Sequence, residues 1–140
     1  MTVAEIRNVF DIAARAMGAQ LTRLNTVASN IANAQSVATR EEDAYRAIKP
    51  IFSASYAANF RNSGLSTVDV DGIYQTDMSP QKIFQPDHPK ANEDGFIFAA
   101  AVNTEEELVE MIEASRQYEN NLEVVSTLRS LMARTANMGR

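Results

Sequence analysis

Cysteine is missing from the 140-residue chain, which removes disulfides, thiolate metal ligands and cysteine nucleophiles together and suits a protein that crosses or occupies an oxidising space. Histidine occurs once, at His88 between two prolines and beside Asp87, with no serine or cysteine placed for triad chemistry. A solvated loop histidine is the plain reading. Positive charge is scarce: 13 lysines and arginines stand against 18 aspartates and glutamates, a net charge of -5, and no basic patch is dense enough to hold nucleic-acid phosphates. No run of 18 apolar residues is available to span a bilayer. A Gly-rich phosphate loop, a Gly-x-Ser-x-Gly elbow, tandem repeats and low-complexity tracts are absent too, so nothing in the sequence asks for an enzyme, a cofactor or a small-molecule substrate. Glu5 and Asp11 stand where a secretory signal would need an apolar core, so no cleavable signal is expected and export would take another route.

What is present suits one folded domain. Hydrophobic residues make up 45% of the chain and charged residues 22%, too apolar a mixture for full disorder. All four prolines and eight of the ten aromatics lie between Ala44 and Ala99, which divides the chain into an N-terminal part at 1–36, a central module at 37–103 and a C-terminal part at 104–140.

Both outer parts read as long amphipathic helices. From Ala4 to Ala34 the residues Ile6, Phe10, Ala13, Met17, Leu21, Leu24, Ala28 and Ile31 recur at three- and four-residue spacings, close to a heptad. Thr2 and Glu5 fit a capping box at its start, and Gly18 is its weak point at ~1 kcal/mol relative to alanine. From Thr104 to Asn137 a second stripe runs through Leu108, Ile112, Ser115, Tyr118, Leu122, Val125, Leu128 and Met132. Thr104 and Glu107 form a second possible capping box, with Glu105, Glu106 and Glu107 placed where the helix dipole favours anions. Rods of ~46 and ~50 Å are longer than a globule of this size needs, and they imply a coiled-coil pair. The fold class expected is therefore mainly α with a small β-rich central module.

The centre reads as short strands and turns. Tyr45 to Ser55 is a half-buried strand candidate broken at Pro50, and Leu65 to Val70 is another. Asn62-Ser63-Gly64 is a turn signal, and Asp71-Gly72 predicts a hairpin turn into Ile73 to Thr76. Gln81 to Gln85 and Phe96 to Phe98 could add strands, joined by an extended, breaker-rich connection from Gln85 to Gly95. Asp69, Asp71 and Asp77 look like a fragment of a calcium loop, but the remaining ligands do not follow in register. Glu105, Glu106, Glu107 and Glu110 read as a solvated helix start rather than an acid/base pair.

The informative stretch is Leu24-Asn25-Thr26-Val27-Ala28-Ser29-Asn30-Ile31-Ala32-Asn33-Ala34, where three asparagines interrupt a good helix former. They could fray and cap the helix end. Alternatively, the amides of Asn30 and Asn33, on one face, could bond to neighbouring helices and fix their register.

Arg23 to Asn33 closely resembles the signature of bacterial flagellar rod and hook proteins, whose N-terminal helix ends in an asparagine-rich motif. Tyr45-Arg46-Ala47, Phe84-Gln85-Pro86-Asp87-His88-Pro89 and Ala91-Asn92-Glu93-Asp94-Gly95-Phe96 look like the C type of flagellar basal-body rod proteins, and Glu110 to Asn121 with Val124 to Met132 extends the likeness to the chain's end. This resemblance implies a non-catalytic axial subunit, exported by the flagellar type III apparatus without a cleaved signal, that polymerises into the proximal rod and transmits torque across the periplasm. Its partners would be other rod subunits, copies of itself and the export apparatus. In such proteins the terminal helices pair in an inner tube while the central part forms an outer layer. The assembly interface expected on this reading comprises Leu21, Leu24, Asn25, Asn30, Ile31, Asn33, Ile112, Tyr118, Leu122, Val125, Leu128 and Met132. The competing class is a soluble helical adaptor or export chaperone that holds one partner through the same stripes.

Overall fold

A computed structural model of the chain describes residues 3–55 and 66–138. Close to half of the chain is helical: α1 spans Val3–Asn33 (31 residues) and α2 spans Thr104–Met138 (35 residues). Both agree with the expected helices to within a residue at each end. Gly18 does not interrupt α1; Thr22 Oγ1 donates to its carbonyl at 3.1 Å one turn later. Thr2 of the first capping box and the Asn62-Ser63-Gly64 turn lie outside the described residues.

Among the described residues between the helices lie five strands in two small sheets. β1 (Val37–Ala38), β4 (Gln81–Phe84) and β5 (Phe96–Ala99) form one sheet in the order β1-β5-β4, with both pairings antiparallel. β2 (Ile48–Ser55) and β3 (Thr67–Gln75) form an antiparallel ribbon from Ile48 opposite Gln75 to Ser55 opposite Thr67.

Two expectations for the centre are corrected here. Pro50 does not break the strand; it lies within β2 opposite Ile73, tolerated because a two-stranded ribbon has only edge strands, where a missing N–H need cost no ladder bond. Asp71-Gly72 is not a hairpin turn. The register passes from Ile51–Gly72 to Phe52–Val70, so Asp71 is the extra residue of a β-bulge in a continuous β3, held by a 2.8 Å bond from Ser53 Oγ to Asp71 Oδ1.

The connection from Gln85 to Gly95 is tighter than the extended link expected. Gln85 N–H donates to Gly95 O at 2.9 Å, Asn92 Oδ1 accepts from the amides of Asp94 and Phe96, and His88 Nδ1 accepts from Lys90 N–H. His88 is thus half-buried and tied into the loop. The link folds back so that Phe84 and Phe96 meet edge to face, with centroids 5.1 Å apart, and Lys82 Nζ lies 4.1 Å from the Phe96 centroid.

The helix start also differs from expectation. Asn103, not Thr104, caps α2: its Oδ1 accepts from Glu105 N–H at 3.1 Å and its carbonyl accepts from Glu107 N–H at 3.1 Å. Glu107 does not reach back to the cap because its side chain is buried elsewhere, only 3% exposed.

Small residues are buried on both helices. Ala13 and Ala19 of α1 and Ala114 of α2 are buried, and α1 is the element against which α2 packs most extensively. The face α2 turns inward runs through Glu107, Ala114 and Leu128, one residue ahead of the expected stripe in its first half. Leu108, Ile112 and Leu122 are left at the surface. Ala114 permits the close approach that a leucine or isoleucine on the seam would block.

Gly95 is the one described residue with positive φ, +79°, and a Cβ there would fall 2.9 Å from Phe84 Cε2 and 3.1 Å from Pro86 Cβ. Gly95→Ala should destabilise the chain by about 1–3 kcal/mol. Gly72→Ala, where an added Cβ would meet nothing within 4 Å, should cost less than about 1 kcal/mol. Thermal unfolding of the two variants beside the wild type checks the contrast.

Candidate assembly surface

Three parts of the chain meet at one side chain. Asn30, in the last turn of α1, has 0% exposure. Its Nδ2 donates to Ile48 O at 2.9 Å and to Glu107 Oε2 at 3.0 Å, while its Oδ1 accepts from Ile48 N–H at 2.9 Å and Tyr45 Oη at 3.0 Å. Both donors and both acceptor positions of the amide are therefore filled. One residue ties α1 to the start of β2 and to the first turn of α2. Tyr45 is delivered there by a segment threaded beside β5's exit: Ala101 N–H donates to Tyr45 O at 2.8 Å and Ala47 N–H to Ala101 O at 3.2 Å.

Two turns back along α1, Arg23 reinforces the same junction. Its Nε donates to Glu110 Oε2 at 2.8 Å, its Nη2 bonds to the same oxygen, and Glu113 Oε2 lies 3.6 Å from Nη2. As α1 runs back from Asn30 to Arg23, α2 runs forward from Glu107 to Glu113, so the helices are antiparallel here. Further along, Arg15 Nη1 holds both carboxylate oxygens of Asp69 on β3 at 3.2 Å, and its Nε meets Asp11. Asp11 first, then Asp69, raise the Arg15 guanidinium above its ordinary pKa, so this bridge keeps its cation throughout the working pH range. Asp69 and Asp71 are thus engaged by Arg15 and Ser53, and among the described residues no group of three acidic or histidine side chains could hold a metal.

A cavity of about 310 Å³ opens beside this junction, with Val27, Ile48, Pro50 and Phe52 as apolar lining and Arg23, Lys49, Glu107 and Glu110 as charged lining. The charged groups are committed to holding helices together, apart from Lys49, and no nucleophile with an adjacent base lines it.

The twelve residues expected at an interface divide by placement. Asn30 and Leu128 are buried within the chain, while Leu24, Ile31, Asn33, Tyr118, Val125 and Met132 are half-buried. Asn33 Nδ2 donates back to Ser29 O at 2.8 Å, closing the helix end. Leu21, Asn25, Ile112 and Leu122 are exposed. Sequence reasoning missed Glu107, Arg23 and Tyr45 as members of the junction. The signal available was spacing: Glu107, Ala114, Asn121 and Leu128 recur every seven residues, which sets a buried glutamate on the seam.

Outside the junction the chain presents apolar surface that a monomer would normally cover. Val109 is 64% exposed and Ile112 55%, with Leu108, Leu122, Val124 and Leu131 also open along α2, and Ile51, Phe52, Ile73 and Tyr74 open on the β2–β3 ribbon. No described helix is long and apolar enough to cross a membrane. These surfaces suit contact with other protein.

Comparison with known proteins points the same way. Residues 10–37 match the family described as flagella basal body rod protein, and residues 93–138 match the flagellar basal body rod FlgEFG protein C-terminal family. Over 133 residues the chain is 35% identical to the flagellar basal-body rod protein FlgC of Salmonella typhimurium, covering 95% of this chain and 97% of that protein. The Yersinia enterocolitica FlgC is 37% identical over 134 residues, covering 95% and 97%. The Aquifex aeolicus FlgC is 34% identical over 131 residues, covering 94% and 95%.

Asn30→Ala would leave Glu107 buried with its one amide donor gone and both Ile48 backbone groups unpaired. We expect a loss of about 3 kcal/mol or more in unfolding free energy. Asn25→Ala, at an exposed position, should change it by under about 0.5 kcal/mol. Urea unfolding followed by far-UV circular dichroism measures both, and equal midpoints for the two variants would show that the Asn30 junction is not limiting.

Proposed function

The chain belongs to the flagellar basal-body rod proteins, and from that premise we propose that it is a structural subunit of the proximal rod, polymerising with adjacent rod subunits and with copies of itself. In this reading the flagellar type III apparatus exports it without a cleaved signal, and it transmits torque across the periplasm through packed interfaces. The role asks for no catalysis. We read the antiparallel α1–α2 pair as the chain's share of a coiled-coil inner tube, with 37–103 as an outer module and 1–36 and 104–140 as the tube-forming parts.

The observation that carries this reading is the exposed apolar surface of α2 on a helix already packed along one face. An adequate monomer would leave that outer face polar. Here Leu108, Val109, Ile112 and Leu122 stay open while Ala114 and Leu128 fill the inner seam, so burial is left for a neighbour to complete. Charged junctions such as Arg23 with Glu110 hold the two helices of one subunit together while the outer face is free to engage.

Leu122, 50% exposed, discriminates chain stability from assembly. Leu122→Asp should leave the isolated chain's melting temperature within about 2 °C of wild type, since a surface substitution costs under about 0.5 kcal/mol. Incorporation into rods should nevertheless fail, because a carboxylate forced into a subunit contact must be desolvated without a partner. Motility and counts of complete basal bodies, with export confirmed by recovery of the variant outside the cytoplasm, provide the readout. Normal rods would show that this face is not buried on assembly.

A further inference from the structure

The loop from Gln85 to Gly95 builds the same small device twice. A side-chain acceptor takes the backbone N–H of the residue two positions on and holds the turn closed. Asn92 does this with its amide, whose Oδ1 accepts from Asp94 N–H at 3.0 Å. His88 does it with its ring, whose Nδ1 accepts from Lys90 N–H at 3.0 Å. An amide oxygen accepts whatever the pH. An imidazole nitrogen accepts only while it carries no proton, because the protonated ring is a donor at both nitrogens.

The His88 bond holds more than one turn. Pro86 and Pro89 have no N–H to give, and His88 carries much of the bonding in this half of the loop: its N–H donates to Gln85 O at 3.1 Å and its carbonyl accepts from Ala91 N–H at 2.9 Å. Lys90, fixed through its N–H by the ring, sends Nζ to Val37 O at 3.0 Å. Val37 is on β1, which lies on the far side of β5 from β4, so this bond ties the loop across the sheet. Nothing nearby is placed to keep a charged ring in the same position. The hollow of about 480 Å³ beside His88 is lined by Phe84, Gln85, Pro86, Asp87 and Pro89, with Asp87 as its one charged group. Among the described residues no ion pair joins His88 to Asp87, Glu93 or Asp94, and the group that β1 turns to the loop is a carbonyl.

We propose that His88 is a pH-sensitive clasp: the neutral imidazole closes the 85–91 half of the loop onto β1, and protonation opens it. On protonation Nδ1 gains a hydrogen that faces the Lys90 N–H, so an acceptor is lost and two donors are opposed. Lys90 is then released, and its tie to Val37 O is released with it. The clasp is complete while the ring is neutral and is undone as pH falls and the ring takes up its second proton. The Asn92 half has no group that titrates in this way: Asn92 Oδ1 still accepts from Asp94 and Phe96, and Gly95 N–H still donates to Asn92 O at 2.9 Å. The Asn30 junction between the helices is untouched as well, so the opening is local.

Nuclear magnetic resonance of the full-length, nitrogen-15-labelled chain between about pH 8 and pH 5 tests the clasp. The neutral ring should carry its proton on Nε2. As His88 titrates, hydrogen-exchange protection of the Lys90 amide, corrected for the intrinsic rate, should fall roughly two- to tenfold, while that of the Asp94 amide holds. His88→Asn, which copies the Asn92 arrangement, should keep the Lys90 amide protected at both ends of the range, and His88→Ala should leave it unprotected at both. A neutral ring protonated on Nδ1, or a Lys90 amide indifferent to the titration of His88, would overturn the proposal. Equal loss at Asp94 would show a general loosening and refute a local clasp. Persistent pH dependence in His88→Asn would assign the effect to another titrating group and refute the role given to His88.

Discussion

The architecture depends on a buried carboxamide. Asn30 is completely enclosed, and its hydrogen bonds reach α1's neighbours on both sides of the central module: the backbone of Ile48 where β2 begins and the carboxylate of Glu107 where α2 begins. An apolar seam between two long helices tolerates sliding, because a slip of one turn, ~5.4 Å, still buries hydrophobic area. The Asn30–Glu107 contact does not tolerate it. A slipped helix would leave a buried carboxylate without its donor, so one register is favoured by polar satisfaction rather than by area. Arg23 with Glu110 repeats the constraint further along the pair, and Arg15 with Asp69 extends it to the β ribbon.

That constraint explains which features were legible in the sequence. The helices announce themselves through long three- and four-residue periodicity, and the asparagine-rich end of α1 is visible as an anomaly in a helix former. Its consequence was not visible, because an amide that glues neighbouring subunits and an amide that ties one chain to itself have the same spacing. Asn30 does the latter within this chain. Glu107 was hidden for a related reason: it sits in a run of three glutamates whose plain reading is a solvated helix start, and only tertiary packing separates it from Glu105 and Glu106. The misplaced seam on α2 has the same origin. Hydrophobicity favours Leu108 and Ile112 over Glu107 and Ala114, but the close approach of α1 selects a small residue and a hydrogen-bonded one.

In the centre, local turn chemistry lost to pairing. Asp71-Gly72 has the composition of a hairpin turn, yet the ribbon absorbs it as a bulge because Ser53 bonds to Asp71 across the strands. Pro50 survives inside a strand because, among the described residues, the ribbon has no third strand to ask for its missing donor. The loop from Gln85 to Gly95 was identified as a connection, but its compactness comes from Asn92 accepting two backbone amides and from Gly95's positive φ. Neither is visible in composition alone.

An exposed aliphatic stripe is a liability for any subunit that must exist alone before it assembles, and the placement of glutamates on α2 answers it. Glu105, Glu106 and Glu113 surround Val109 and Ile112 on the helix surface, and with a net charge of -5 on the chain they oppose indiscriminate association between apolar faces. The same repulsion is selective. It penalises contact between two copies of this glutamate-rich face and leaves open the approach of a surface without that charge. Solubility of the free subunit and discrimination in the assembled one then rest on the same residues, so the face left uncovered by the intramolecular seam is guarded by charge until a complementary one arrives.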